Sequence, residues 1–369
     1  MPVTVGDIIA VLGECAPENL AAQWDNVGLL CGCPASAVER VMLALDVTPG
    51  VAGQAAGEKA QMIISHHPLI FHEIKKLAET DWRSRLLAKL IRDNVAVYAA
   101  HTNLDFCAGG VSDALAQKLG LSDVAVLRKS GHCLLRKIAV FVPDQYADRV
   151  MAAMAREGAG HIGQYSDCSF RVKGTGAFRP LAGTHPFAGR EGEMSSVKET
   201  RIETVAPAEK LAAVLKAMLA AHPYEEAAYD VYELANDRTG VWGAGRIGAL
   251  KEAMTVRDFA LMAKSALRLD YALYADAGRP VRKVAVCGGA GGDLVQDALA
   301  GGADILVTGD LGHHAAQEAK LAGLSLLDAG HQGTERPVLP FLADKIAASA
   351  KGRKIKILIA EEEPSLLML

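Results

Sequence analysis

Short, continuous apolar runs recur in the first and last thirds of the chain, and alanine-rich or amphipathic segments separate them. They lie at 41–45, 62–65, 95–100, 284–287, 303–308 and 324–328. Runs that are apolar throughout predict strands buried on both faces, as in a sheet covered by helices. Residues 41–65 also align without a gap with residues 284–308. The pattern predicts an α/β fold with a duplicated core, in which two βαβαβ halves form one mixed or parallel sheet around a pseudo-two-fold axis.

The pattern changes between these two halves. Strand-like runs at 137–142, 169–174, 197–205 and 228–234 are interspersed with helical periodicity at 144–157 and 207–221. That order, βαββαβ with an extra hairpin, is typical of a ferredoxin-like α+β domain. We therefore predict a core made of residues 1–127 and 241–369, with the ferredoxin-like domain inserted at 128–240.

Composition and charge narrow the class of protein. The 369 residues suffice for two or three domains, and a net charge of −4 argues against nucleic acid as the main partner. Neither a signal peptide nor a run long enough to span a bilayer is visible, so no membrane partner is expected. Seven scattered cysteines indicate reduced thiols and a cytoplasmic location. The acidic run at 361–363 is expected to be exposed to solvent.

Histidines follow three of the predicted strands, and two of them have a carboxylate four residues later. The pair His66-His67 ends one run, and the other two continue as His101-x-x-x-Asp105 and His331-x-x-x-Glu335. Strand ends of an α/β sheet converge on one crevice, and imidazole with carboxylate is a ligand set for divalent metals. We predict a two-metal site whose ligands are His66, His67, Asp105, His331 and Glu335.

A structural interpretation competes with this one. A lone histidine after a strand is usually a surface or hydrogen-bonded core residue, and an acid in the first turn of a helix stabilises that helix. Histidines recur at three strand ends, which favours the metal site. The carboxylates can stabilise a helix and bind a metal at the same time. The remaining histidines that lack this setting are interpreted as ordinary residues: His72, His132, His161, His185 and His222.

Two loops are candidates for binding substrate. Gly288, Gly289, Gly291 and Gly292 lie between a predicted strand and a predicted helix, where free backbone amides suit a phosphate or carboxylate. A tight turn without a ligand explains the same glycines equally well. In the loop 24–28, Asp25 or Asn26 suits an Asx-type turn better than a substrate contact.

These segments together resemble the NIF-three-like dinuclear metal-centre proteins, a family that carries the label GTP cyclohydrolase I type 2. The matching motifs are Trp24-Asp-Asn-Val-Gly-Leu29, Ser65-His-His-Pro-Leu69, Ala100-His-Thr-Asn-Leu-Asp105, Gly288-Gly-Ala-Gly-Gly292, Thr308-Gly-Asp310 and Gly330-His-Gln-Gly-Thr-Glu335. The middle of the chain is similar to the longer bacterial branch, whose insert resembles PII signal proteins. The motifs carrying that likeness are Cys168-Ser-Phe-Arg-Val-Lys-Gly174 and His222-Pro-Tyr-Glu-Glu-Ala-Ala-Tyr-Asp230.

The resemblance implies roles for individual residues. His66, Asp105 and Glu335 would hold one ion, His67 and His331 the other, and Glu335 would bridge both. His101 would be an additional ligand or an acid/base residue, so that turnover depends on His101 and Glu335. The ions would be zinc, iron or manganese. The resemblance also implies a toroidal homohexamer whose PII-like inserts close its openings. Residues 311–316 fit the family less well, which leaves His313 and His314 outside the predicted site.

Three functions follow as alternatives. The first is a metal-dependent hydrolase that uses metal-bound hydroxide on a nucleotide or another phosphate-bearing small molecule. The second is the opening of the purine ring of GTP, as the family label states. The third is a metal-holding or regulatory hexamer without catalysis.

Overall fold

A computed structural model describes residues 2–132, 135–163, 165–235, 241–349 and 355–363. The chain divides into two compact units, which we call unit 1 (Met1–Ser130 with Trp242–Leu369) and unit 2 (Gly131–Val241). The expected domain boundary at residue 240 falls outside the described residues, and the predicted insert at 128–240 stays a prediction.

The first sheet of unit 1 is built on the first set of apolar runs. Its strands are β1 (Gly28–Cys31), β2 (Arg40–Ala44), β3 (Met62–Ser65), β4 (Ala96–Ala99) and β15 (Lys356–Ile359), in the spatial order β1-β4-β3-β2-β15. The strands β15, β2, β3 and β4 are parallel, and β1 pairs antiparallel with β4. Every residue of β3 and β4 is buried, as their unbroken apolar runs predicted.

The second sheet of unit 1 is built on the second set. Its strands are β5 (Ser122–His132), β10 (Val241–Met254), β11 (Leu273–Ala275), β12 (Val281–Ala290), β13 (Ile305–Gly309) and β14 (Ser325–Asp328), in the order β11-β14-β13-β12-β10-β5. The strands β12, β13 and β14 are parallel, whereas β11 and β10 pair antiparallel with their neighbours.

The prediction of one continuous sheet is therefore wrong. Each sheet contains a block of three parallel strands, β2-β3-β4 in the first and β12-β13-β14 in the second, and other strands occupy both edges of each block. Separate apolar clusters cover the faces of the two sheets, so each sheet has its own core. The strand order is nevertheless the same in both blocks, and in each a short antiparallel strand flanks the third parallel strand. The pseudo-two-fold axis itself stays a prediction.

Helices follow most strands of unit 1. They are α1 (Val5–Cys15), α2 (Pro49–Gly57), α3 (Trp82–Arg92), α4 (Thr102–Phe106), α5 (Val111–Lys118), α8 (Val256–Leu267), α9 (Val295–Ala300), α10 (His313–Leu321), α11 (His331–Glu335) and α12 (Val338–Ser349). The two shortest, α4 and α11, directly follow β4 and β14. They place the two His-x-x-x-acid motifs at corresponding ends of the two sheets.

Unit 2 has the predicted βαββαβ order. It comprises β6 (Leu135–Pro143), α6 (Ala147–Arg156), β7 (Phe170–Phe178), β8 (Ser195–Pro207), α7 (Leu211–Ala221) and β9 (Tyr229–Glu233). The sheet has the order β7-β8-β6-β9 and is antiparallel throughout, and both helices share one apolar core with it. Instead of an extra hairpin, the described residues show an isolated bridge between Ile162 and Tyr165. The likeness to PII proteins stays a prediction.

The acidic run at 361–363 is only partly a solvated end. Glu362 is half-buried, and its carboxylate accepts hydrogen bonds from the backbone amides of Leu45 and Asp46, both at 2.8 Å. The C-terminal segment therefore fixes the loop after β2. None of the helices in the described ranges is long and apolar enough to cross a membrane.

Candidate metal centre

The end of β3 delivers two histidines to one point. The amides of His66 and His67 still bond to the chain after β2, at Ala44 O (3.1 Å) and Leu45 O (2.8 Å). Adjacent side chains point apart on a regular strand. Here the strand ends, and the two ring centroids lie only 4.9 Å apart. His66 Nδ1 donates to the carbonyl of Ala100 (2.8 Å), which leaves its Nε2 facing the site.

The short helices α4 and α11 supply the carboxylates. Asp105 Oδ1 lies 3.6 Å from His66 Nε2. Glu335 Oε1 lies 3.5 Å from His66 Nε2 and 3.0 Å from His331 Nε2, and its Oε2 lies 3.4 Å from His67 Nε2. The nitrogens His331 Nε2 and His67 Nε2 are 3.3 Å apart. A single buried carboxylate, that of Glu335, thus contacts all three imidazoles.

Outer carboxylates orient three of the imidazoles. Asp46 faces His67 Nδ1 (3.1 Å), Asp310 faces His331 Nδ1 (2.6 Å), and Asp25 faces His101 Nδ1 (2.9 Å). Such partners fix the ring orientation and the tautomer, so that Nε2 points inward as a lone-pair donor. The fully buried Asp25 also accepts hydrogen bonds from the backbone and hydroxyl of Thr102.

Sequence reasoning assigned no site role to Asp46 or Asp310. A usable signal existed, because each lies within two residues of the end of a parallel strand, β2 or β13, that is adjacent to the strand before a site histidine. Asp25 was predicted as a turn residue. It does bond to the amide of Asn26, and it also orients His101.

The charges of the site favour a cation. Burial alone would lower the pKa of His66, but the carboxylates of Asp105 and Glu335 outweigh it and leave that pKa raised. Burial likewise opposes protonation of His67, yet the carboxylates of Asp46 and Glu335 raise its pKa to about 10. The hydrogen bond to Glu335 is the main cause that raises the pKa of His331 to about 9. The carboxylates thus create a strongly negative potential.

The donor set and its spacing fit metal ions. Two donors at 2.0–2.1 Å from one tetrahedral ion are about 3.4 Å apart, and the donor pairs described above are separated by 3.0–3.6 Å. His66 Nε2 and Glu335 Oε2 are buried and have no hydrogen-bond partner among the residues that the structure describes. Buried polar atoms without partners are rare, and coordinating a cation would satisfy both. Two groups of donors lie within 4.8 Å of one another: His66, His67 and His101, and His67, His331 and Glu335.

Comparison with known proteins identifies the family. The model of Duf34/NIF3 (NGG1p interacting factor 3) matches residues 3–365. The chain belongs to the NIF3 family. It is 40% identical over 359 residues to the GTP cyclohydrolase 1 type 2 homolog of Bacillus subtilis, with 96% of each chain covered. The corresponding homolog of Mycobacterium tuberculosis is 41% identical over 342 residues, covering 91% of this chain and 89% of that protein.

Solved structures agree with this assignment. A Bacillus cereus protein related to NIF3 has a TM-score of 0.87 at 39% identity, with 99% of both chains covered. A Staphylococcus aureus protein has a TM-score of 0.77 at 26% identity, covering 100% of this chain and 99% of that one. The resemblance inferred from the motifs is thus confirmed.

The glycine run of this NIF3-family chain lies directly against the donors. A Cβ on Gly289, whose φ is +62°, would lie 2.5 Å from Glu335 Oε1. The amides of Gly289 and Gly291 already donate to the hydroxyls of Thr334 (2.9 Å) and Thr308 (2.8 Å). Close approach to Glu335 therefore accounts for glycine at position 289, and anion binding by the run stays a prediction.

None of the other histidines in the described ranges belongs to either donor group. Side chains of His72, His161, His185, His313 and His314 are exposed, whereas that of His132 lies outside the described residues. His222 is buried in unit 2, where Nε2 donates to the carbonyl of Phe141 (3.0 Å). The six cysteines within the described ranges are all free. Neither of the donor groups includes a cysteine.

Proposed function

We propose that this protein is a hydrolase that uses two divalent metal ions to act on a nucleotide or another phosphate-bearing small molecule. The observation that carries the proposal is the position of Glu335, whose two carboxylate oxygens face different histidines. His66 and Asp105 would hold one ion with Glu335, and His67 and His331 would hold the second with the same carboxylate.

The ions would supply the nucleophile by lowering the pKa of a water toward neutrality, and would polarise a phosphoryl or carbonyl oxygen. Zinc, iron or manganese suits the imidazole and carboxylate donors. The chain itself contributes rigidity, since every site histidine has its Nδ1 fixed by a carboxylate or a carbonyl.

His101 is suited to move a proton in this reaction. Asp25 fixes its Nδ1, so Nε2 faces the centre and can accept or return a proton at the leaving oxygen. The same nitrogen could serve as a further ligand, because a donor atom of His101 lies within 4.8 Å of those of His66 and His67.

An aromatic rim beside the centre supports a substrate with a flat ring. Trp24 is 63% exposed and Phe71 is 39% exposed. Their ring centroids lie 6.2 Å and 6.4 Å from that of His101. Stacking of a base on an exposed aromatic ring contributes about 1–3 kcal/mol and tolerates any base. Replacing Trp24 with Ala should raise KM for nucleoside phosphates while sparing the hydrolysis of small phosphoesters that lack a base.

The second candidate is the opening of the purine ring of GTP, which the names of the relatives favour. Both reactions use the same centre and differ in product. Free phosphate or nucleoside would identify the first, and formate with a ring-opened or pterin product would identify the second.

Metal analysis followed by a panel of nucleotides and phosphoesters tests the proposal. Expected results are about two ions per chain, turnover that requires metal, and loss of turnover in Glu335→Gln. The matched control Glu318→Gln, on the exposed face of α10, should retain both metal and turnover. A metal-loaded protein that is inactive across the panel would instead favour the non-catalytic, metal-holding assembly.

We also propose the toroidal homohexamer that the family resemblance implies, and the cytoplasmic location that the scattered cysteines indicate. Mass photometry at micromolar concentration should give a particle near six times the chain mass of 38.9 kDa. A monomer or dimer would contradict the hexamer.

A further inference from the structure

Unit 2 contains a cavity of about 620 Å³ that the metal chemistry does not use. Its floor is the face of the sheet opposite to α6 and α7. The floor is formed by paired residues of β7 and β8, such as Val172 with Arg201 and Gly174 with Glu199. The loop between β7 and β8 covers one side with Pro186 and Phe187. The volume lies within the range of about 300–1,000 Å³ that is usual for small-molecule sites.

The walls of the cavity are mainly aromatic. Phe178 and Phe187 lie with their ring centroids 6.1 Å and 5.8 Å from that of Tyr224, and Phe141 closes the floor. The faces of such rings are electron-rich and attract an organic cation or an apolar body.

A buried carboxylate in this wall forms no ion pair with any residue that the structure describes. Glu199 is only 8% exposed, and its Oε1 accepts a hydrogen bond from the Tyr224 hydroxyl (2.7 Å). No residue in the described part of the chain bonds to its Oε2. A buried carboxylate is costly unless a positive charge or several donors stabilise it. The cavity therefore offers an anchor for a positively charged group.

A second unsatisfied group lies two residues further along the same face of β8. The Nε–H of Arg201 is buried and has no hydrogen-bond partner among the described residues. Arg201 pairs with Glu203, 3.0 Å away, but Glu203 also pairs with Lys137, so Arg201 offers a hydrogen-bond donor whose positive charge is only partly compensated. The remaining charged residues of the lining are Glu225, Glu226 and the largely exposed Lys173.

We propose that this cavity binds an amino compound with an apolar body, of the class of the hydrophobic α-amino acids and their amides. The ammonium group pairs with Glu199, a carboxylate or carbonyl oxygen accepts from Arg201 Nε, and the apolar side chain packs among Phe141, Phe178 and Phe187. The site is separate from the metal centre and does not depend on the proposed hydrolase activity.

Calorimetric titration of the full-length protein with three probes tests the charge pattern. L-phenylalanine carries both polar groups, phenethylamine only the ammonium, and 3-phenylpropionate only the carboxylate. We expect L-phenylalanine to bind with a Kd of about 1 mM or tighter, phenethylamine more weakly, and 3-phenylpropionate not measurably. Equal binding of 3-phenylpropionate, or no binding of any probe at about 10 mM, would overturn the proposal.

Two variants and a control locate the binding. Glu199→Gln should weaken phenylalanine binding at least about tenfold, as expected for a lost charged hydrogen bond. A Cβ on Gly174 would meet nothing within 4 Å, so Gly174→Val should fill part of the cavity and abolish binding while the fold is retained. Glu209→Gln, which is exposed in the turn after β8, should bind like the wild type. Unchanged binding in Gly174→Val would place the ligand elsewhere and refute the site.

Discussion

Replacing Asp25 with Asn should destabilise unit 1 although the two side chains have nearly the same shape. Asp25 Oδ1 accepts from His101 Nδ1 (2.9 Å) and from the amide of Asn26 (2.8 Å). Its Oδ2 accepts from the amide of Thr102 (3.0 Å) and from the Thr102 hydroxyl. An asparagine has only one acceptor oxygen, so its NH₂ group must face one of these two pairs of donors.

Either orientation of the amide leaves one backbone N–H unsatisfied. With the NH₂ toward Thr102, the hydroxyl can rotate and accept, but the amide of Thr102 cannot. With the NH₂ toward His101, the ring can change tautomer and accept, but the amide of Asn26 cannot. One buried unsatisfied donor costs about 1–3 kcal/mol, and charge-assisted bonds are lost as well. We expect the free energy of unfolding to fall by about 2–4 kcal/mol.

Urea unfolding followed by tryptophan fluorescence measures this loss in unit 1 alone. The three tryptophans of the chain, Trp24, Trp82 and Trp242, all belong to unit 1. The titration is done with EDTA present, so that metal binding does not contribute. Asp46→Asn is the matched control, because Asp46 also bonds to a site histidine but is half exposed, and should lose less than about 1 kcal/mol. A loss in Asp25→Asn no larger than in the control would refute the reasoning.

Three further predictions concern the glycine run, the outer carboxylates and pH. Gly289→Ala should displace the Glu335 carboxylate, so that metal is lost from both positions, as measured by elemental analysis. In the control Gly292→Ala the added methyl group has room, and the protein should keep its metal. Equal loss of metal in both variants would favour the anion-binding role. Asp310→Asn should weaken metal binding about 10–100-fold in competition with a chromogenic chelator, and unchanged affinity would remove it as an orienting residue. Burial lowers the pKa of His222 in the folded state. The neutral His222 side chain therefore contributes to the stability of unit 2 above the unfolded-state pKa of about 6.5, and this contribution is lost as the pH falls below that value. The protection factors of amides in residues 135–163 and 165–235, which correct hydrogen exchange for its intrinsic pH dependence, should accordingly fall between pH 7.5 and 5.5 in the wild type, and much less in His222→Gln.

Local sequence determined the elements and most of the candidate donors. Apolar runs of four to six residues are long enough to specify buried strands, and a histidine directly after such a run has to lie at the strand end. The i, i+4 spacing of His331 and Glu335 places both on one face of a single helical turn, which is why their Nε2 and Oε1 atoms are 3.0 Å apart. The ferredoxin-like order of elements in unit 2 was also predictable from local sequence, because each strand and each helix has its own hydrophobic periodicity.

Only the tertiary structure decided which elements are neighbours. An apolar run shows that a strand is buried but not which strand it pairs with, so the two halves were predicted as one sheet although each forms its own. For the same reason Asp46 and Asp310 were not predicted as site residues, since they are 21 residues from the histidines that they orient. The role of Gly289 depends on contact with Glu335 across 46 positions of the chain, and the Glu199 cavity depends on a loop that folds over the sheet of unit 2. Such long-range contacts arise from packing, and no local pattern of residues encodes them.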